Sequence, residues 1–324
     1  MYYIVITLSI AISSSAEYNF YIQIEVNSLQ ITATKIIRNK MVSVIVITYN
    51  RELFIKECID NILSQDFAGE LEVIVIDNYS SDSTAVVLKN MPDPRVKFIV
   101  NKTRVGLSAC KNLGLRLSHG NMIAFTDDDC LVSRNWLKNI TDSLKQYDFA
   151  GGVVLPLPGS KFPWWWNNSL NWLVGINPEP NKKFLPLGSN MAFNKRVLDK
   201  LEEGSHSGLT SINLALPYRE DNYRIQKALA SGFSMGINKG MVVYHRIPKT
   251  RLNIAYLLKR SYDEGYVWIM YEKRLWNLVF SFCALPINFI RLLISWNINY
   301  FFRFIVNISY ISNYIVRGYD VKRY

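Results

Sequence analysis

Residues 42–48 (VSVIVIT) contain six β-branched side chains and no charge. Such a run suits a strand buried on both faces, as in a sheet with helices packed on either side. The theme then repeats. Residues 51–66 bring Leu53, Ile55, Cys58, Ile59, Ile62 and Leu63 at helical spacing. Residues 71–76 (LEVIVI), 96–101 (VKFIVN) and 122–126 (MIAFT) read as three further strands. A turn at 80–84 feeds a helix N-terminus, and 108–117 reads as a helix. Strand and helix alternating over short links predict an α/β fold, a mostly parallel central sheet flanked by helices. Ligands of such sheets gather beyond the carboxyl ends of the strands. Polar residues collect at those ends: Thr48, Tyr49 and Asn50; Asp77 and Asn78; and Asp127, Asp128 and Asp129.

After a predicted helix at 136–147 the order changes. A Gly-Gly-containing strand is predicted at 149–155, and a long loop with Trp164, Trp165 and Trp166 at 156–187. A short strand follows at 189–193, then helices at 196–201 and 223–230. A last strand at 241–245 ends in His245, and the remainder reads as helices. Hydrophobic residues make up 49% of the chain and charged residues 19%, as in a folded protein with one large core or one domain plus an appendage.

The net charge of +11 is uneven: from Arg246 onward, twelve Lys/Arg face four Asp/Glu. That tail is also rich in aromatic and aliphatic residues, which suits an anionic membrane surface. No nucleic-acid motif accompanies the charge, so nucleic acid is not an expected partner. The apolar run at 278–296 is interrupted by Pro286, Asn288 and Arg291, which favours interfacial helices over spanning ones, with packing on the catalytic domain as a third reading. Asn299, Arg303, Asn307, Tyr310, Tyr314 and Arg317 draw a polar stripe. Phe301, Phe302, Phe304, Ile305 and Ile308 are expected to lie largely away from it. Cys58, Cys110, Cys130 and Cys283 form neither a metal knuckle nor a C-x-x-C pair and read as reduced thiols of a cytoplasmic protein. At the N-terminus, 2–12 is apolar and 13–16 small and polar. This mimics a signal peptide but lacks a basic lead and is short for a span. Met41 directly precedes the first strand, so a start at Met41 and a membrane-tethered extension stand as equal readings. Three parts result: an uncertain extension (1–40), a catalytic domain (41–265) and a basic, aromatic helical tail (266–324).

Chemistry concentrates in a few carboxylates. Asp127, Asp128 and Asp129 repel one another unless a cation or donors sit among them. A hard divalent ion such as Mg²⁺ or Mn²⁺ takes carboxylate oxygens and bridges phosphates. An acidic turn capping the next helix is the plainer alternative. Asp77, at a strand end, can accept hydrogen bonds from a nucleoside or serve a turn. Glu220 and Asp221 open a helix, where they either favour its dipole or supply a general base. His245 ends a strand, where ligands gather.

The ordered set VSVIVITYNRE, VIVIDNYSSDST, VGLSACKNLGL, IAFTDDDC, GSNMAFNKRVL and YREDNYRIQKALASGF resembles glycosyltransferase family 2, whose fold is GT-A. The likeness runs from about Met41 to Gly265. It implies an inverting, metal-dependent glycosyltransferase using a nucleotide sugar, UDP-linked by preference. It places Thr48, Tyr49 and Glu52 in the nucleotide pocket, Asp77 on uracil and Asp127 at the ribose. Asp128 joins the nucleotide-sugar residues, and Asp129 holds the metal bridging the diphosphate. Asp221 becomes the base, Glu220 lies beside the acceptor, and His245 is a further metal or diphosphate ligand. Lys111 stands where family members often carry Arg, on the donor or diphosphate; Arg219 replaces the usual Gly before the Glu-Asp pair. The segment YHRIPKTRLNIAYLLKRSYDEGY resembles a subgroup acting on polyprenyl- or dolichyl-linked sugars, which implies a glycan or polyprenyl-linked acceptor at the cytoplasmic face of the cell membrane. The competing readings are a polyprenyl-phosphate sugar synthase, a non-catalytic sugar-nucleotide-binding protein and a nucleotidyltransferase. The last would carry a Gly-rich basic loop where TYNRE stands.

Overall fold

A computed structural model describes residues 41–181, 185–203, 220–271 and 275–320. The first half alternates as the sequence predicts: β1 (Val42–Thr48), α1 (Ile55–Leu63), β2 (Leu71–Asp77), α2 (Thr84–Lys89), β3 (Val96–Val100), α3 (Leu107–Leu117) and β4 (Met122–Asp127). Then come β5 (Cys130–Val132), α4 (Trp136–Leu144), β6 (Phe149–Pro156), β7 (Met191–Asn194), α5 (Lys195–Glu203), α6 (Glu220–Ala230) and β8 (Met235–His245). The predicted long loop between β6 and β7 contains a 3₁₀ turn at Asn168–Val174 and another at Gly188–Asn190.

One eight-stranded sheet runs in the order β3-β2-β1-β4-β7-β6-β8-β5. The first four strands are parallel. β7 then runs antiparallel to both β4 and β6, β8 is parallel to β6, and β5 is antiparallel to β8. The sheet is therefore mixed, with its parallel half on the N-terminal side. Both faces are covered, which explains the charge-free runs. Val44 and Val46 point into one apolar cluster with Ile55, Ile59 and Trp136, while Ile45 points into another with Cys110, Phe125 and Phe193. Burying each such side chain contributes about 1.5–3 kcal/mol. Asn190 ties the second half together. It accepts from Trp136 Nε1 at 2.8 Å and donates to Val153 O and Met241 O at 2.8 Å each, which satisfies a polar group that would be expensive to bury alone.

Two elements add to the sequence reading. The plainer alternative for the aspartates, a cap on the following helix, is not seen: they turn the chain from β4 into the three-residue β5. The last strand begins at Met235, six residues earlier than its apolar run, because Gly236, Asn238 and Gly240 hide its first half.

Three helices follow: α7 (Ile254–Tyr271), α8 (Leu275–Ser295) and α9 (Asn299–Asp320). α9 packs on α7. Phe302 and Tyr310 are fully buried, and Ser309 Oγ donates to Tyr262 O at 2.6 Å. A Cβ on Gly265 would collide with the Val306 carbonyl, so glycine permits this close crossing. The expected stripe on α9 is corrected by this packing. Asn299, Asn307 and Tyr310 face inward, Asn299 accepting from Trp172 Nε1 at 3.0 Å. Trp165 and Trp166 also join this third cluster, whereas Trp164 is exposed. α8 is the outlying element. Its stretch Asn277–Ser295 is long and apolar enough to cross a membrane, and very little of it is buried against the rest of the protein.

Candidate active site

The parallel register brings the polar strand ends together: Thr48 lies beside Asp77, and Ile47 beside Asp127. The β1–α1 loop and the β2–α2 loop then lock to each other. Asn50, whose φ of 53° suits Asn better than most residues, accepts from Ser81 N at 2.8 Å. Arg51 N donates to Thr84 Oγ1 at 2.8 Å, and Ser83 N donates to Glu52 Oε2 at 2.7 Å. Glu52 thus braces the neighbouring loop. The Tyr49 ring carries the Arg104 guanidinium 4.1 Å from its centroid.

Asp77 is fully buried at the end of β2. Its Oδ1 accepts from Ser80 N at 2.9 Å and Ser80 Oγ at 2.6 Å, while Oδ2 is buried without a partner. A buried carboxylate oxygen left unsatisfied costs about 1–3 kcal/mol or more, which marks a place where a ligand donor fits.

The aspartate turn is met by cations from three directions. Arg51 Nε lies 3.2 Å from Asp128 Oδ1, and Arg51 Nη2 lies 3.5 Å from Asp129 Oδ2. Arg251 Nη2 lies 3.5 Å from the same Asp129 oxygen. His245, paired through β8 with Cys130 of β5, places Nε2 3.4 Å from Asp129 Oδ1. Burial pushes the Asp128 carboxyl up to about 7, with the Asp129 charge adding to it. Burial and Asp129 likewise raise Asp127. Burial opposes ionisation of Asp129 too, but His245, Arg251 and Arg51 hold it below the usual carboxylate range. In return His245 is raised against its own burial by Asp129 and Asp127. Negative charge is thereby held chiefly on Asp129, among Arg51, Arg251 and His245. Asp129, Cys130 and His245 each present a donor atom within 4.8 Å of the others. The oxygen of Asp129 and the nitrogen of His245 suit a hard or borderline divalent ion. Cys130 is a poorer ligand: burial and the neighbouring aspartates push its thiol well above the usual range.

On the other side of Asp127, Lys111 from α3 reaches Asp221 in the first turn of α6. Nζ donates to Oδ1 at 2.7 Å, and the Lys111 side chain is 4% exposed. Gly188 gives Asp221 its seat, because a Cβ there would collide with the carboxylate. Arg224, one turn further on α6, lies over the Phe125 ring, as Lys111 does.

The structure therefore gathers Thr48, Asp77, Asp127, Asp128, Asp129, His245, Lys111 and Asp221 at one end of the sheet. Glu220 opens α6, and its side chain lies outside the described residues, as do Arg219 and His206. His119 bonds Glu72 at the opposite end of the sheet. All four cysteines are free, and only Cys283 is exposed. Sequence reasoning missed Arg51, Arg251, Gly188 and Arg224. Arg51 sat in the TYNRE motif and Arg251 in the segment after His245, but neither spacing points to Asp129.

Known proteins resemble this chain in sequence and in fold. Residues 43–202 match the family model for glycosyl transferase family 2. A glucosyl-dolichyl phosphate glucuronosyltransferase of Haloferax volcanii is 25% identical over 258 residues, covering 74% of this chain and 78% of the relative. A GalNAc(5)-diNAcBac-PP-undecaprenol beta-1,3-glucosyltransferase of Campylobacter jejuni is 41% identical over 90 residues, 27% of this chain and 29% of the relative. The chain spans about a third or less of the length of several curated relatives that it matches. Among solved structures, the mannosyltransferase PcManGT of Pyrobaculum calidifontis, in complex with GDP-Man and Mn²⁺, aligns with a TM-score of 0.50. It is 17% identical and covers 87% of this chain and 74% of that one, a likeness of fold. Residues 43–202 are thus similar to glycosyl transferase family 2, and the sheet and its helices have the fold of the GT-A glycosyltransferases.

Proposed function

We propose that the protein is an inverting glycosyltransferase that moves a sugar from a UDP-sugar to a hydroxyl of a polyprenyl-linked glycan at a membrane surface. The observation that carries this reading is the meeting of Asp77, the aspartate turn with His245, and the Lys111–Asp221 pair at the carboxyl ends of the parallel strands. Asp77 Oδ2 takes the imide N–H of uracil. Thr48 and Tyr49 flank the nucleoside, and Asp127 and Asp128 face the ribose and sugar. Asp129 and His245 would hold a Mg²⁺ or Mn²⁺ ion, which when bound would supply Lewis-acid neutralisation of the leaving diphosphate. Asp221, anchored by Lys111, takes the proton of the acceptor hydroxyl. The hydroxyl oxygen bonds to the anomeric carbon on the face opposite the diphosphate, and the electrons of the breaking bond go to the diphosphate oxygen. Inversion follows from this single displacement. Glu220 lies beside the acceptor at the start of α6. The relatives named for dolichyl phosphate and undecaprenol substrates support a lipid-linked acceptor. The exposed apolar helix α8 and the basic tail support a membrane location, with the catalytic domain on the cytoplasmic face.

The test is release of UDP from a panel of UDP-sugars by the full chain, with polyprenyl-linked glycans, in Mn²⁺ or in EDTA. The expected result is release that requires one sugar, the lipid-linked acceptor and the metal, and that Asp221→Asn abolishes. Equal release in EDTA overturns the metal assignment, and undiminished release by Asp221→Asn overturns the base.

A further inference from the structure

Two guanidiniums converge on one oxygen of the aspartate turn. Arg51 Nη2 and Arg251 Nη2 each lie 3.5 Å from Asp129 Oδ2. Arg251 does more. Its Nη1 lies 3.3 Å from His245 Nε2, the atom that also faces Asp129 Oδ1 at 3.4 Å. Arg251 thus bridges the two side chains assigned above to the cation, at His245 Nε2 and Asp129 Oδ2, both of them donor atoms able to ligate. A divalent ion held by Asp129 and His245 competes with this guanidinium for the same two side chains. Arg251 is able to leave: its side chain is 27% exposed, and it sits in the short 3₁₀ turn Lys249–Arg251 rather than in a strand or long helix. Arg246 is a nearby comparison of equal charge. It is held by Glu57 at 2.5 Å and by the Phe54 face at 4.6 Å, and its side chain makes no ion pair with the aspartates.

We infer that Arg251 is an exchangeable counter-ion of the metal site, displaced from Asp129 and His245 when the cation binds and then redirected onto the donor diphosphate. This rests on the metal and donor assignment proposed above. The physical case is charge bookkeeping at one place. With no donor present, the guanidinium offsets the Asp129 charge that would otherwise be buried beside Asp127 and Asp128. With the cation bound, that offset is redundant, and two like charges side by side repel. A diphosphate arriving with the cation offers the freed guanidinium a planar pair of oxygens, the geometry that suits Arg better than Lys. Because Arg251 lies between β8 and α7, the exchange also moves charge at the joint leading to the helical tail.

The consequence is a pair of effects with opposite signs. Arg251→Gln removes a competitor of the ion but also a ligand of the donor. Mn²⁺ alone, measured by calorimetry or by the electron-spin signal of free Mn²⁺, binds Arg251→Gln about fivefold more tightly than the unaltered chain, the scale of one partly exposed ion pair. UDP in saturating Mn²⁺ binds it about fivefold or more weakly. Arg251→Lys, which keeps the charge without the fork, falls between the two for UDP. Arg246→Gln measures what loss of a nearby positive charge does by itself, and it shifts Mn²⁺ binding less than Arg251→Gln. If the unaltered chain binds no Mn²⁺, the metal assignment falls and this inference with it. If the unaltered chain binds Mn²⁺ but Arg251→Gln matches either it or Arg246→Gln, the exchange is overturned while the metal assignment stands. Weaker binding of both Mn²⁺ and UDP by Arg251→Gln also overturns it, because that pattern is loss of a site rather than of a competitor.

Discussion

Lys111 Nζ donates to Asp221 Oδ1 at 2.7 Å, joining α3 to α6 across 110 residues of sequence. The lysine is buried and the carboxylate rests on Gly188, so the pair fixes where the proposed base stands. Lys111 is a positioning residue in this reading, one step from the reacting hydroxyl. Lys111→Met is expected to lower kcat about a hundredfold, the scale of a misplaced reacting group. UDP binding in Mn²⁺ should change little. Lys111→Arg keeps the cation with a different geometry and should recover part of the loss. Steady-state kinetics with separate UDP titration check this; a rise in KM for the nucleotide sugar at constant kcat would instead return Lys111 to the donor.

Asp77 Oδ2 is buried and unpartnered at the end of β2, while Oδ1 is engaged by Ser80. An acceptor waiting in a polar strand-end pocket fits a nucleobase N–H. Asp77→Asn turns half of that group into a donor and should weaken UDP binding about tenfold, within the penalty of an unmatched buried polar pair. The effect should fall on KM and spare kcat. Equal affinity for UDP in the variant would remove Asp77 from the pocket.

A second carboxylate stabilises the far end of the sheet. Glu72 Oε1 accepts from Ser43 Oγ and His119 N at 2.6 Å each, and Oε2 from Lys97 Nζ at 2.9 Å. Burial works against its charge, but the Ser43, His119 and Lys97 donors win and lower its carboxyl from 4.5 to about 2. The unfolded chain therefore binds a proton at higher pH than the folded one, and stability rises with pH across that window. The contribution is fully present above pH 4.5 and is lost as pH falls through 4.5 toward 2. It amounts to about 3 kcal/mol, at about 1.4 kcal/mol per pH unit. Thermal melts of the unaltered chain and Glu72→Gln should differ most at pH 7, and the gap should narrow steadily as pH falls from 4.5 toward 2. A gap that stays constant with pH would mean the loss is one of packing.

Legibility in the sequence followed burial. β1, β2 and β4 could be read because both faces of each are covered, so their central positions are apolar and polar residues fall near the strand ends. β5 could not, since three residues after three aspartates carry no period. The strand-end residues of the site were legible for the same reason as their strands. Arg51, Arg251 and Gly188 were not, because each matters through a partner remote in sequence: Asp129 for the arginines, Asp221 for the glycine. The tail shows the opposite failure. Its helical period was correct, yet Asn299 and Asn307 are buried, Asn299 pairing with Trp172 and Asn307 bonding back to the Arg303 carbonyl. Polarity marked a packed face there, not a wet one.

Within the tail, α8 is the element whose surface would suit a membrane, as the proposed function requires. Phe280, Phe282, Phe289, Ile290, Leu293 and Ile294 are all exposed, on a helix that also carries Pro286 and Arg291. A contiguous apolar surface of this kind is rare on a soluble monomer unless something covers it. The Arg291 guanidinium lies 5.8 Å from the Tyr300 ring centroid, at the α8–α9 corner, with no carboxylate partner among the described residues. A charge near one end and a proline in the middle suit a helix lying in the headgroup boundary, with the arginine reaching toward lipid phosphates. Replacing Phe280, Phe289 and Ile294 together by Ser should move the protein from the membrane pellet to the supernatant and leave UDP binding intact. Alkaline carbonate should release the unaltered chain as well, because an interfacial helix is held by area and charge rather than by a span. Release by carbonate together with loss of pelleting in the triple variant supports the interfacial reading. A carbonate-resistant pellet would make α8 a spanning helix, and unchanged pelleting of the triple variant would move the membrane contact elsewhere in the chain.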